Sequence, residues 1–265
     1  MYVGLVNRIR LVGGVPRHVP CVPAPDGWQV DPEALAAAVG PETAAVLAMT
    51  PAMPTGALLG PAHWNALAPV LERHDCWLIH NAAMERILFD GHRPAHPAAH
   101  PGLAERTITV GSASKELRLI GWRVGWTVGP SRILSDIALV GMTNVVCQVG
   151  IAQRAVAAAL DAPDADEDVA AATRVWEQRR DIVLRQLDDY PLVRPHGGWS
   201  LLLDTAALGL TPGEASERLF RRGRVAATPM TGWGPGGDRY LRLVFANEPA
   251  DRLGGLRGRF RTAFG

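Results

Sequence analysis

Lysine is nearly absent from this chain: residue 115 is the single lysine among 27 Lys and Arg residues. Every other cationic side chain is an arginine, which stays protonated and cannot form an imine, whereas a lysine can lose its proton and attack a carbonyl carbon. A leftover surface lysine is the plain alternative. An excess of charge of either sign is missing as well. With 26 Asp and Glu residues interspersed among the cations, the net charge is +1, so no long-range field exists to draw in nucleic acid or an anionic membrane. The arginines at 221–222 and between Arg257 and Arg261 read as solvated helix faces. Cysteine is scarce: Cys21, Cys76 and Cys147 lie far apart with no CxxC spacing. There is neither a signal-peptide pattern nor an apolar run long enough to span a bilayer, and the expectation is a reduced, cytoplasmic protein.

What is present is enough for a large core. At 265 residues and 48% hydrophobic, the chain should bury about 70–75% of its unfolded surface in one or two domains. Apolar runs ending in Gly, Pro or Asn alternate with stretches of helical period, the pattern of parallel strands joined by crossover helices. TAAVLAMT, CWLIH and TITVG read as buried strands. Between them, DPEALAAAV opens with Asp31 as N-cap and Pro32 at the first helical position, and PAHWNALAPVLERH opens on Pro61 and should be disturbed at Pro69. After Trp126 come long helical patterns, then the strand WSLLLD, the helix PGEASERLFRRG, the strand YLRLVFA and a terminal helix. The expected organisation is a large α/β domain over residues 1–145, connecting long helices over 146–190 and a smaller C-terminal α+β domain over 191–265.

Three strand ends carry unusual polar clusters. TAAVLAMT runs into TPAMPTG, CWLIH into Asn81, and TITVG into SASK. In open α/β sheets the ligand crevice lies outside those carboxyl ends, and three clusters in phase point to one site.

With those residues in view, the chain resembles the class I/II aminotransferases of fold type I, a large pyridoxal-phosphate (PLP) family, from about Tyr2 to the C-terminus. The S-x-S-K…G-x-R-x-G pattern is matched by Ser112, Ser114, Lys115, Gly121, Arg123 and Gly125. The resemblance implies a three-layer α/β/α, mostly parallel sheet with a small C-terminal domain. It implies PLP held by Lys115 as an internal aldimine, with Ser112 and Arg123 on the phosphate. RYLRLVFANEP resembles the strand whose arginine grips the substrate carboxylate, here Arg242, and a planar guanidinium suits that bidentate task. Tyr2 resembles the aromatic residue stacked on the PLP ring, through its spacing to Gly13-Gly14.

The matches are incomplete. In TPAMPTG the family's asparagine is Met53, and in the segment resembling D-E-x-Y the aspartate is Asn81 and the tyrosine Met84. A carboxylate beside the pyridine nitrogen keeps it protonated and makes the ring an electron sink; a neutral amide cannot. The family's N-terminal segment, with its glycine-containing phosphate loop, would lie before Met1. A truncated large domain is therefore expected, with a homodimer, or a complex with a chain that supplies the missing segment, covering its apolar surface. The functional expectation is an enzyme of the transaminase type acting on a small amino acid or keto acid. The alternative is a PLP-independent or non-catalytic homologue that binds a small carboxylate or serves as a partner subunit.

Other signals carry less. GHRPAHPAAHPG holds His92, His96 and His100 at helical spacing, but Pro94, Pro97 and Pro101 forbid the helix, so a solvated loop is expected and no metal ligand is assigned. GWGPGGD precedes a strand rather than opening a helix and reads as a turn. Ser112 and His80 lack a G-x-S-x-G elbow, which sets a hydrolase aside. Trp77 and Trp126 read as core residues.

Overall fold

The computed structural model describes residues 2–265. In chain order its elements begin with α1 (Val3–Leu11), the paired strands β1 (Cys21–Ala24) and β2 (Gly27–Val30), and α2 (Pro32–Ala37). Next come β3 (Ala45–Met49), α3 (Pro61–Arg73), β4 (Trp77–Asn81), β5 (Thr107–Ser112) and β6 (Gly125–Val128). Three helices follow, α4 (Ser131–Val145), α5 (Gly150–Leu160) and α6 (Ala165–Gln186). The remainder is β7 (Leu192–Val193), β8 (Ser200–Asp204), α7 (Pro212–Arg218), β9 (Thr228–Pro229), β10 (Tyr240–Val244), α8 (Ala250–Leu253) and α9 (Leu256–Phe264).

These elements form two compact units. One comprises Val30–Thr50 and Leu59–Thr173; the other comprises the chain up to Gln29, Pro51–Leu58 and Arg174–Gly265. The sequence division at 145 and 190 stays a proposal. The early segments group with the C-terminal ones for a packing reason: Trp28 of β2 and Ala57 share a buried cluster with Leu202 of β8 and Met230.

The first unit is an α/β fold built on a sheet of order β3-β4-β5-β6, with β3, β4 and β5 parallel and β6 antiparallel. Its rows are set by register: Ala48, His80 and Thr109 are neighbours, as are Met49, Asn81 and Val110. Because side chains alternate across a strand, the first row points to one face and the second to the other. The signals at the helix starts are used as expected, since the Asp31 carboxylate accepts from Glu33 N at 3.0 Å. Pro69, by contrast, does not interrupt α3. Trp64, Leu67 and Leu71 form a buried stripe along this helix while Pro69 sits on its exposed side, where the carbonyl left unpaired by the missing N–H can be hydrated.

The second unit carries the antiparallel sheet β7-β8-β10-β9. Leu201, Leu202 and Leu203 of β8 and Leu241 of β10 are buried, and Arg242 pairs in register with Leu202 and Thr228. Tyr190 and Phe260 pack edge to face at 5.1 Å and close the end of this unit. Two sequence readings are corrected. Trp126 is 37% exposed rather than core, because β6 ends the sheet and its indole lies over Gly111, where any Cβ would overlap it. In the histidine loop, His96 and His100 are half-buried rather than solvated, and His100 Nε2 meets Asn65 Oδ1 at 2.7 Å.

Candidate active site

The carboxyl ends of β3, β4 and β5 lie side by side in the parallel part of the sheet, and the polar residues of the first unit gather there. Asn81 ends β4, and its Oδ1 accepts from Ala83 N at 3.1 Å. The amide oxygen is thus turned back into its own loop, and the –NH2 group is what the residue still offers: a donor, where a carboxylate would have been an acceptor. Met84, three residues on, is buried to 1% exposure. It occupies the core and not the strand-end surface.

After β5 the chain turns sharply. Ser112 Oγ accepts from Ser114 N at 3.2 Å, and Ala113 N donates to Val124 O at 3.2 Å. Ala113 and Leu117 are anchored in a cluster with Val156 and Val169. The anchored turn leaves Ser112, Ser114 and Lys115 between buried neighbours and solvent, all three half-buried. Arg123 returns to this turn from nine residues away: its Nη1 donates to Ile120 O at 2.7 Å and to Ser114 Oγ at 3.3 Å. It does so with φ +57°, a left-handed conformation that costs an arginine free energy and that the returning loop imposes.

The electrostatics are one-sided. The Lys115 pKa is lowered, first by burial and then by the Arg123 guanidinium. No carboxylate pairs with Arg123 among the described residues. Two cationic side chains and two hydroxyls on one turn suit an anion such as a phosphate ester.

In the second unit, Arg242 of β10 is half-buried. Its guanidinium carbon lies 5.0 Å from the Trp233 ring centre, and its Nη2 donates to Thr228 Oγ1 at 3.4 Å. Its Nε is buried without a hydrogen-bond partner among the described residues. Burial lowers its pKa, opposed by the Tyr2 phenol, and Tyr2 itself packs on Trp233 with ring centres 5.7 Å apart. Here too, among the described residues, a cation stands without a carboxylate. The TPAMPTG loop is fixed within the same unit: Ser200 Oγ donates to Pro54 O at 3.2 Å and His196 N to Gly56 O at 3.2 Å.

The structure therefore gathers Asn81, Ser112, Lys115 and Arg123 in one unit, and Tyr2 and Arg242 in the other. Sequence reasoning missed three contributors. Ser114, which orients Arg123, was in the quoted motif but had no role. Trp233 and Thr228 frame Arg242; neither has a role of its own in the sequence, and GWGPGGD, which holds Trp233, is a turn as it reads. A tryptophan inside a glycine-rich turn was the signal, because a large apolar side chain is seldom spent on solvent.

The class that these features define is that of a mostly parallel α/β sheet whose carboxyl edge carries a lysine, two serines and, among the described residues, an arginine without a carboxylate partner, a set of groups suited to an anion. Residues 1–259 match the family described as aminotransferase class I and II, and the chain belongs to that family. It is 34% identical over 237 residues to the arginine–pyruvate transaminase of Pseudomonas aeruginosa, covering 86% of this chain and 60% of that protein. It is 33% identical over 248 residues to the probable aspartate/prephenate aminotransferase of Thermus aquaticus, covering 92% and 63% respectively. Among solved structures it superposes on an aromatic aminotransferase of Pyrococcus horikoshii with a TM-score of 0.90 at 29% identity, covering 98% of this chain and 69% of that one. An aspartate aminotransferase double mutant of Thermus thermophilus gives a TM-score of 0.89 at 30% identity, covering 98% and 66%. The chain spans about three fifths of the length of the curated relatives that it matches.

Proposed function

We propose that the chain acts as an aminotransferase-type enzyme, holding PLP at Lys115 and exchanging the amino group of a small amino acid with a keto acid. When bound, PLP supplies an aldehyde carbon that condenses with amines and a conjugated ring that takes up charge from the substrate α-carbon. The residues present fit it: Arg123 and Ser112 would hold the phosphate, where a cation without a carboxylate partner and a hydroxyl lie on the same turn.

Lys115 has two tasks in this reading. Its Nζ must be neutral to attack a carbonyl and neutral again to take a proton from the substrate α-carbon. Burial and the neighbouring Arg123 both favour that neutral form. Arg242 orients the substrate by receiving its carboxylate in a two-bond fork, with Trp233 stacked behind the guanidinium. Asn81, whose oxygen is taken by Ala83 N, would offer its amide N–H groups to the pyridine nitrogen and no charge to keep that nitrogen protonated. Tyr2 provides an aromatic wall. The observation that carries the reading is the pairing of a half-buried, pKa-lowered Lys115 with an arginine that has no acidic partner.

A second reading, a carboxylate-binding homologue without PLP chemistry, is favoured by Asn81 turned into its own loop and by Met84 in the core. One experiment separates the two. Protein incubated with PLP and reduced with borohydride should carry a stable adduct that peptide mapping places on Lys115. No adduct at saturating PLP would refute the enzyme reading.

The same proposal includes a homodimer in the cytoplasm. Leu139, Val140, Met142 and Ile151 leave a broad apolar surface exposed on and after α4, of the kind that a second chain covers. No helix among the described residues is long and apolar enough to cross a membrane. Sedimentation showing a stable monomer would refute the dimer.

A further inference from the structure

We propose that His80, Glu85 and His96 form a binding site for a divalent transition-metal ion of the zinc type. His80 lies on β4 with 0% exposure, and neither of its ring nitrogens has a hydrogen-bond partner among the described residues. Glu85, on the turn that follows, has its Oε1 buried and likewise without a hydrogen bond. The two approach at 3.5 Å between His80 Nε2 and Glu85 Oε1. His96 completes the group, its ring edge to face with His80 at 4.9 Å between centres. One ligand atom from each residue lies within 4.8 Å of the other two.

Buried polar atoms are normally satisfied, and His80 Nε2 and Glu85 Oε1, which face each other without a hydrogen bond, need a common partner. The donor set decides which. Two imidazoles and one carboxylate are zinc ligands, and bonds of about 2.1 Å in tetrahedral geometry put ligand atoms about 3.4 Å apart. His80 and Glu85 already stand at that separation. His96 closes the remainder, at the cost of a tautomer change. In the structure His96 Nδ1 accepts from Ala98 N at 3.1 Å and Nε2 lies 3.1 Å from Thr109 Oγ1, so the neutral ring carries its proton on Nε2. Ligation through Nε2 moves that proton to Nδ1, releases the Ala98 bond and leaves the imidazole neutral. Three protein ligands leave a fourth position. Glu85 and His96 also line a cavity of about 580 Å³ with Thr109 and Gly111, through which water or a small anion can reach it.

This site is separate from the one around Lys115. His80 and Asn81 are adjacent on β4 and so point to opposite faces of the sheet. It is also not the His92/His96/His100 spacing of the sequence: only His96 of those three takes part, and His100 bonds to Asn65 instead.

The test uses the full chain, stripped with a chelator and titrated with Co2+ or Zn2+. Wild type should take up one equivalent of Co2+ with visible d–d absorption of a nitrogen/oxygen-ligated ion, and Zn2+ should displace it and raise the thermal midpoint. Glu85→Gln and His96→Gln should each weaken Zn2+ binding at least tenfold, measured by competition with a chromophoric chelator, with the circular dichroism spectrum unchanged. If one variant misfolds, the other decides. Wild type without d–d absorption or a midpoint shift would overturn the proposal, leaving a polar cluster satisfied by water. Equal Zn2+ affinity in wild type and both variants would overturn it too, placing the ion on other histidines.

Discussion

Replacing Arg242 with methionine should separate ligand binding from folding, because the two respond to different features of this side chain. In the folded protein Arg242 makes one polar side-chain bond, to Thr228 Oγ1 at 3.4 Å, and stacks on Trp233 at 5.0 Å. A partly exposed cation–π contact contributes about 0.5–1 kcal/mol, and a bond at 3.4 Å adds little. Against these losses, the substitution removes a partly desolvated charge whose buried Nε has no partner. The net change in stability should stay within about 1 kcal/mol, a shift of about 2–4 °C in Tm for a chain of this size. Carboxylate affinity should behave otherwise. Two charge-assisted hydrogen bonds, each at the low end of about 1.5 kcal/mol because the site is half open, sum to about 3 kcal/mol, or roughly 100-fold in Kd. Arg242→Lys should fall between, since it keeps the charge and loses the fork. Succinate titrations followed by tryptophan fluorescence would read the affinity, with Trp233→Phe identifying the reporter, and calorimetry would read Tm. Unchanged affinity in Arg242→Met would refute the carboxylate role; a fall in Tm much beyond 4 °C would mean that the arginine holds the fold instead.

Three further outcomes are expected. Because the native pKa of Lys115 is lowered, the unfolded chain binds more protons, so wild-type stability should rise with pH from that lowered value up to the ordinary lysine value of 10.5. Urea unfolding of Lys115→Met across this window should show less of that rise, and an identical profile would refute the assigned shift. Asn81→Asp keeps an oxygen for the bond from Ala83 N and replaces the –NH2 with a second oxygen. With PLP bound it should speed single-turnover conversion of an amino acid more than tenfold, a change requiring only about 1.4 kcal/mol of transition-state stabilisation; an unchanged rate would mean that this residue does not face the ring nitrogen. Gly56→Ala should destabilise by at least about 2 kcal/mol in urea unfolding, since Gly56 has φ +71° and its Cβ would lie 2.7 Å from Gly197 O; a near-neutral effect would show that the loop relaxes.

Much of the fold was legible in the sequence because its signals are local. Apolar runs gave β3, β4 and β5, and Asp31, Pro32 and Pro61 marked helix starts through capping chemistry that needs no tertiary context. Lys115 stood out by composition alone, and the motif around it carried Ser112 and Arg123. The misreadings are of another kind. Pro69 does not break α3 because burial of Trp64, Leu67 and Leu71 outweighs one lost backbone bond, and Trp126 lies near the surface because β6 has no further strand beside it. Both depend on which neighbour a segment meets.

The sequence by itself determined the chemistry on offer: one nucleophilic lysine, an amide where an aspartate belongs to the family pattern, and an arginine on a late strand. Only the tertiary structure decided how those groups are biased. The depressed Lys115 pKa comes first from burial of its turn and then from Arg123, which returns across nine residues in a left-handed conformation, the donor character of Asn81 needs its oxygen to be taken by Ala83 N, and the cluster of His80, Glu85 and His96 joins a strand, a turn and a proline-rich loop. Residue types are written in one dimension, whereas burial and Coulomb coupling depend on distances that exist only after the sheet has paired.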